Sequence, residues 1–223
     1  MMYKYNYKGW SSRIFCEMEQ KEIGVDTRTR GRPRAYDPDV ALQRAMDAFW
    51  KSGYSGTSLD DIAHATGMNR PSLRAAFGDK RDLYLKALRA YWGFKLATMA
   101  KTLAGGTLGE ALLRTYDAAL TVYFSEEEGA RGCFVVGTAI TESVDDPEIR
   151  EIVATGFGAL DRLFVDRIAQ ARDAGELTGD VDPAALAILA CGTMQTIALR
   201  ARAGFARETL WGIAQKAVAV ICR

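Results

Sequence analysis

Histidine is almost missing from this 223-residue chain, with His64 the single example. One histidine leaves little room for a Ser–His–Asp triad and none for a multi-histidine metal site. Cysteine is scarce too. Cys16, Cys133, Cys191 and Cys222 lie far apart, so no CxxC metal or redox motif exists, and nothing calls for a disulfide framework. No GxxxxGK[ST] loop is present, nor a GxGxxG following a strand-like run. Runs of strict apolar–polar alternation bounded by turns are absent, and so are internal repeats. The longest uncharged run, Pro183 to Leu199, falls short of the ~20 apolar residues a bilayer needs. It carries Gly192, Thr193, Gln195 and Thr196 and reads as a buried helix. The opening MMYKYNYKGWSSRIFCEM has no apolar core of signal-peptide length. A cytoplasmic protein without metal or cofactor is expected, and the common enzyme chemistries lack their residues.

Net charge is also nearly absent, at +1, because 29 basic side chains face 28 acidic ones. The balance is uneven along the chain. Residues 1–100 hold 17 Lys or Arg against 11 Asp or Glu, and the remainder holds 12 against 17. A basic front half followed by an acidic back half points to an anion-binding module placed ahead of something else. With 48% hydrophobic residues, the chain can bury a full core.

Residues 1–34 show no helical period. The first 26 read as a solvated tail. Arg28, Arg30, Arg32 and Arg34, interleaved with Gly31 and Pro33, read either as more tail or as a basic nucleic-acid arm. From Asp37 the pattern becomes helical. Leu42, Ala45, Met46 and Phe49 form one stripe, opened by Asp37 or Pro38 and stopped by Gly53. Thr57 or Ser58 can cap a short helix with Leu59, Ile62 and Ala63 inward, ended by Gly67. Asn69 caps a second short helix with Pro71 in its first turn and Leu73 and Phe77 inward. Gly78 ends it, and Asp79 starts a long helix with Tyr84, Leu88, Tyr91 and Trp92 on one face. Further helices are expected over about 107–125, 131–143, 146–174, 183–203 and 207–222, giving an all-α fold of about nine helices.

Gly53 to Lys80 is the informative segment. Two short helices joined by AlaThrGlyMet make a helix-turn-helix, whose second helix must be short and polar outside to enter a major groove. Met68, Leu73 and Phe77 anchor it, and Arg70, Pro71, Ser72, Arg74 and Ala75 point outward. Helix N-termini near Thr57–Ser58 and Asn69–Arg70 suit phosphates. Arg70 and Arg74, one turn apart, suit guanine edges or phosphates. Lys80 is placed for the DNA backbone. His64 falls on the outer side of the first short helix, as a surface residue. The same geometry also occurs in plain helical bundles, so periodicity alone leaves DNA binding open.

Gly53–Tyr54, Thr57–Ser58, Asp61–Ile62–Ala63, Gly67, Ser72–Leu73, Phe77 and Asp79–Lys80 resemble the N-terminal signature of TetR-type (TetR/AcrR) transcriptional regulators. The resemblance covers about residues 36–84. It implies a three-helix DNA-binding domain over 35–82, a larger helical domain over 83–223 for a small effector, and a homodimer on a palindromic operator. The stretch RGCFVVGTAITESVDDPEI resembles one found in a subset of the family. One departure stands out: Arg74 occupies a position where the family usually carries a DNA-touching Tyr, and Ala75 one often filled by a large side chain. A steeper salt dependence of binding is expected from the added charge.

In the back half, bulky residues at helical spacing read singly as core. Together Trp92, Tyr116, Tyr123, Phe134, Thr138, Phe157, Met194 and Gln195 outline a largely apolar effector pocket with a few polar handles. The last two helices, about 183–203 and 207–222, are rich in Ala and Gly yet apolar nearly all round. They suit a four-helix dimer interface, or burial within one subunit. The expected activity is a ligand-responsive repressor released by a small apolar effector. The rivals are an enzyme, a helical carrier or interaction module without DNA binding, and a thiol sensor at Cys133 or Cys191.

Overall fold

A computed structural model describes residues 36–125 and 129–223 of the chain. The basic segment with Arg32 and Arg34, and Cys16 before it, lies outside the described residues. Nine α-helices are described: α1 Pro38–Ser52, α2 Leu59–Thr66, α3 Arg70–Phe77, α4 Lys80–Leu103, α5 Leu108–Tyr123, the short α6 Ile140–Glu142, α7 Pro147–Asp173, α8 Pro183–Arg202 and α9 Arg207–Ile221. A π-helical stretch, Val135–Ala139, leads into α6.

Side-chain caps start most of these helices. Asp37 accepts from Asp39 N–H at 2.9 Å. Ser58 accepts from Asp61 N–H at 3.1 Å, and Asp61 accepts in return from Ser58 N–H at 2.8 Å. Asn69, Asp79, Thr107, Asp146 and Asp182 cap α3, α4, α5, α7 and α8 in the same manner. Each cap satisfies donors that a helix start leaves open. Gly78 closes α3 at φ +88°, and a Cβ there would sit 2.2 Å from an Asp82 carboxylate oxygen, so no other residue fits the turn.

Two departures from the expected helices occur. Phe124–Ser125 and Gly129–Ala130 are short antiparallel strands, with Phe124 opposite Ala130. The helix expected over 131–143 begins only at Phe134. Arg131 N–H and Gly132 N–H both donate to Tyr123 carbonyl, at 2.8 and 3.2 Å. Gly132 takes φ +68°, and a Cβ there would lie 2.5 Å from the Ala198 carbonyl. Helix α8 therefore rests directly on the 131–137 backbone.

The core runs without a break from Ala41 to Ile221. Trp50 of α1 stacks edge-on to Tyr91 of α4 at 5.2 Å and to Phe134 at 5.5 Å. Helix α7 crosses α4 at Gly156, where a Cβ would meet the Trp92 ring at 2.1 Å. Counted over its full length, helix α8 is long and apolar enough to cross a membrane, although its uncharged run alone is not, and it is not buried all round as the sequence suggested. One side of it packs against α7 and α9. Ile188, Leu189 and Leu199 on its other side are exposed, with Val220 on α9.

Candidate nucleic-acid interface

Helices α1, α2 and α3 enclose a small core of Ala45, Phe49, Ile62, Met68, Leu73 and Phe77, all buried. The two inward residues of α3 face this core, which leaves Arg70, Pro71, Arg74 and Ala75 exposed on the opposite side. Ser72 is half-buried and its N–H is taken by the Asn69 cap at 2.9 Å. With Ala75, Tyr36 and Pro38 it lines a shallow depression of about 320 Å³. Lys80 is half-buried, its ammonium 4.4 Å from the centre of the Tyr54 ring. His64 is exposed, as expected.

Arg70 is not loose. Its Nε donates to Asp60 Oδ1 at 2.6 Å and its Nη2 donates to Asp60 Oδ2. The bond from Arg70 holds the Asp60 carboxyl below its usual range, and Asp60 raises Arg70 in turn. Arg74, one turn later, has no ion pair among the described residues.

Thr57 corrects the sequence reading. It is 1% exposed. Its hydroxyl donates to the Gly53 carbonyl at 2.6 Å and its N–H to the Tyr54 carbonyl. The side chain ties the turn before α2 together and is withdrawn from the outer surface, and Ser58 beside it is the exposed cap. Either residue type can open a helix, so spacing alone did not separate them.

The residues outlined as an effector pocket are mostly packed. Trp92, Tyr116, Tyr123, Phe134 and Thr138 are buried, and Phe157 and Gln195 are half-buried. Trp92 meets Phe157 edge-on at 5.3 Å. Tyr116 donates to the Ala190 carbonyl at 3.0 Å. Thr138 donates to the Phe134 carbonyl, and Tyr84 donates to Thr138, both at 2.8 Å. Burial pushes the Tyr91, Tyr116 and Tyr123 hydroxyls up. Neither described depression is lined by any of the eight outlined residues. Tyr116 and Thr138 are thus satisfied within the fold, whereas the Trp92 indole N–H is buried with no partner among the described residues.

Other polar groups inside the body were not singled out from the sequence. Lys95 is 6% exposed. Its ammonium lies 3.5 Å from Cys133 Sγ, to which Tyr91 also donates at 3.2 Å. The i, i+4 step from Tyr91 to Lys95 on a buried stripe was the available signal. Arg131 stacks its guanidinium 3.8 Å over Trp50 and pairs with Asp47 at 2.9 Å. Arg202 of α8 donates to the carbonyls of Trp50 and Arg131. Arg81 at the start of α4 pairs with Asp146 at 2.6 Å and Glu148 at 2.9 Å. No group of three or more metal-ligating side chains occurs among the described residues.

An exposed, doubly arginine-bearing short helix braced by a second one is a surface that fits a duplex groove. Comparison with known proteins agrees in kind. The family model described as "Bacterial regulatory proteins, tetR family" matches residues 41–87. A second, "Tetracyclin repressor-like, C-terminal domain", matches residues 109–211. The Bacillus subtilis (strain 168) HTH-type transcriptional regulator YezE is 34% identical over 70% of this chain and 81% of its own length. The Escherichia coli (strain K12) HTH-type transcriptional repressor ComR is 31% identical over 84% of this chain and 90% of its own. Among solved structures, a cysteine mutant of the TetR family regulator CifR, complexed with 26-base-pair operator DNA, shares 33% identity with a TM-score of 0.76. That alignment covers 84% of this chain and 98% of the other. The chain therefore belongs to the TetR family of bacterial transcriptional regulators.

Proposed function

We propose that this protein is a ligand-responsive transcriptional repressor that binds a palindromic operator as a homodimer. The carrying observation is the outward flank of α3, with Arg70 and Arg74 exposed above the buried Leu73 and Phe77. Arg70 reads a base edge, and Arg74 meets phosphate or a base edge one turn on. Asn69, Ser58 and Lys80 hold the backbone around them, and Arg32 and Arg34 supply a basic arm ahead of the head. The head spans residues 35–82 and the effector-binding and dimerisation body 83–223.

Ile188, Leu189, Leu199 and Val220, exposed on α8 and α9, form the dimer face, because an apolar helix side of this size is stable in water only when covered. Two recognition helices then enter successive major grooves roughly 34–36 Å apart. The effector is small and largely apolar. It enters by opening the packed region around Trp92, Phe134 and Phe157. A change there reaches the head through Phe134 and Arg131, which both touch Trp50. Coupling of this kind typically amounts to ~1–3 kcal/mol. Inside a bacterium the protein resides in the cytoplasm, on the nucleoid when bound.

The test is selection of bound fragments from random duplex DNA at low salt, followed by sedimentation of the free protein. Recovery of an inverted-repeat sequence and a dimer at micromolar concentration are expected. Failure to retain any duplex would remove the DNA reading, and a monomer would remove the dimer.

A further inference from the structure

We propose that Asp60 is a positioning residue for DNA recognition: its carboxylate, on the first helix of the helix-turn-helix, fixes the Arg70 guanidinium so that one defined edge faces the base pairs. This rests on the reading above that α3 enters the groove.

Asp60 is the second residue of α2 and Arg70 the first of α3. The ion pair spans the turn between the helices and engages both carboxylate oxygens. It uses the Nε and Nη2 side of the fork. A guanidinium carries five N–H donors in a rigid plane. Both hydrogens of Nη1 and the second of Nη2 therefore stay outside the pair, and two adjacent ones suffice for guanine O6 and N7.

The placement of Asp60 is otherwise costly, since a carboxylate on a DNA-facing surface repels phosphates. Its neighbour Asp61 has a role within the fold, as the returning half of the α2 cap. Asp60 favours the start of α2 only as a first-turn carboxylate, and its one hydrogen-bonded partner among the described residues is Arg70. Both partners are well exposed, at 59% and 71%, so the pair adds little to folding. Its effect falls on binding, because a long side chain already held in one rotamer loses less freedom when it meets a base.

Asp60→Asn separates this from simple charge. Removing a negative charge should tighten binding to every duplex if electrostatics alone matters. Positioning gives the opposite sign for specificity. With a duplex selected by the wild-type protein and a scrambled one as reference, the ratio of specific to scrambled affinity should fall roughly three- to tenfold. Melting temperature should fall by no more than about 4 °C, and Asp60→Glu should retain part of the ratio. An Asn variant with an intact ratio overturns the proposal. Arg70→Ala, measured alongside, distinguishes the two levels. If it loses the ratio while Asp60→Asn keeps it, only the positioning role falls. If Arg70→Ala also keeps it, the groove-reading role of Arg70 falls, and the proposal with it.

Discussion

Replacing Arg131 by Ala removes one of the links between the body and the head, beside the aromatic contacts of Trp50. The guanidinium lies 3.8 Å from the Trp50 ring centre, pairs with Asp47 at 2.9 Å, and has a side chain only 10% exposed. A desolvated cation–π contact contributes ~2 kcal/mol, and a part-buried charged hydrogen bond about 1.5–3 kcal/mol. Asp47 is 39% exposed and recovers water when its partner leaves, so the second figure is discounted to about 1 kcal/mol. The expected loss is about 3 kcal/mol, a fall in melting temperature of roughly 6–12 °C for a chain of this size. The assay is a double-mutant cycle with Trp50→Leu, read by denaturant unfolding. A coupling energy near 2 kcal/mol is expected, because the two residues touch. Coupling below about 0.5 kcal/mol, the level of independent sites, would refute the stack as the link. Asp47→Asn alone should cost about 1 kcal/mol. The same Arg131 variant should hold operator DNA less tightly, since its head is less firmly seated.

Gly156→Ala should overpack the crossing of α7 on α4, because the new methyl would meet the Trp92 ring. The expected cost is about 1–3 kcal/mol, checked by thermal melting, and an unchanged melting temperature would mean that the ring moves freely. Asp146 is held by Arg81 at a pKa of about 2. A depressed carboxylate pKa contributes stability above its unfolded value of about 3.9, lost as pH falls toward 2. Unfolding measured between pH 5 and pH 2 should therefore show an acid-side loss that Arg81→Met reduces. Removing residues 1–34 should lower DNA affinity and flatten its dependence on salt, and an unchanged slope would make the arginines there a tail.

The helix starts were legible because capping is local chemistry. Asp37, Asn69, Asp79 and Asp146 each sit one residue before a helix whose apolar stripe follows. The exposed flank of α3 was legible for a related reason: once Leu73 and Phe77 are inward, the period places Arg70 and Arg74 outward. What escaped depends on contacts far apart in sequence. Nothing near Arg131 announces that it covers Trp50, 81 positions earlier. Phe134 and Tyr116 look alike as pocket walls or as core, since both uses want a large ring on an inner face. The late start at Phe134 follows from the close approach of Ala198 to Gly132, which no local propensity encodes.

That close approach has a wider meaning. The segment carrying Arg131 touches the head on one side and α8 on the other, and Arg202 reaches from α8 across it to Trp50. The helix with the bare apolar flank is thus one backbone thickness away from the residues that seat the DNA-reading end. In the proposed dimer, assembly and footing share a foundation: a partner resting on α8 from outside presses on the same segment that contacts the head. Pairing of subunits and aim of the recognition helices would then be titrated together, and a substitution meant only to separate subunits would also loosen the heads.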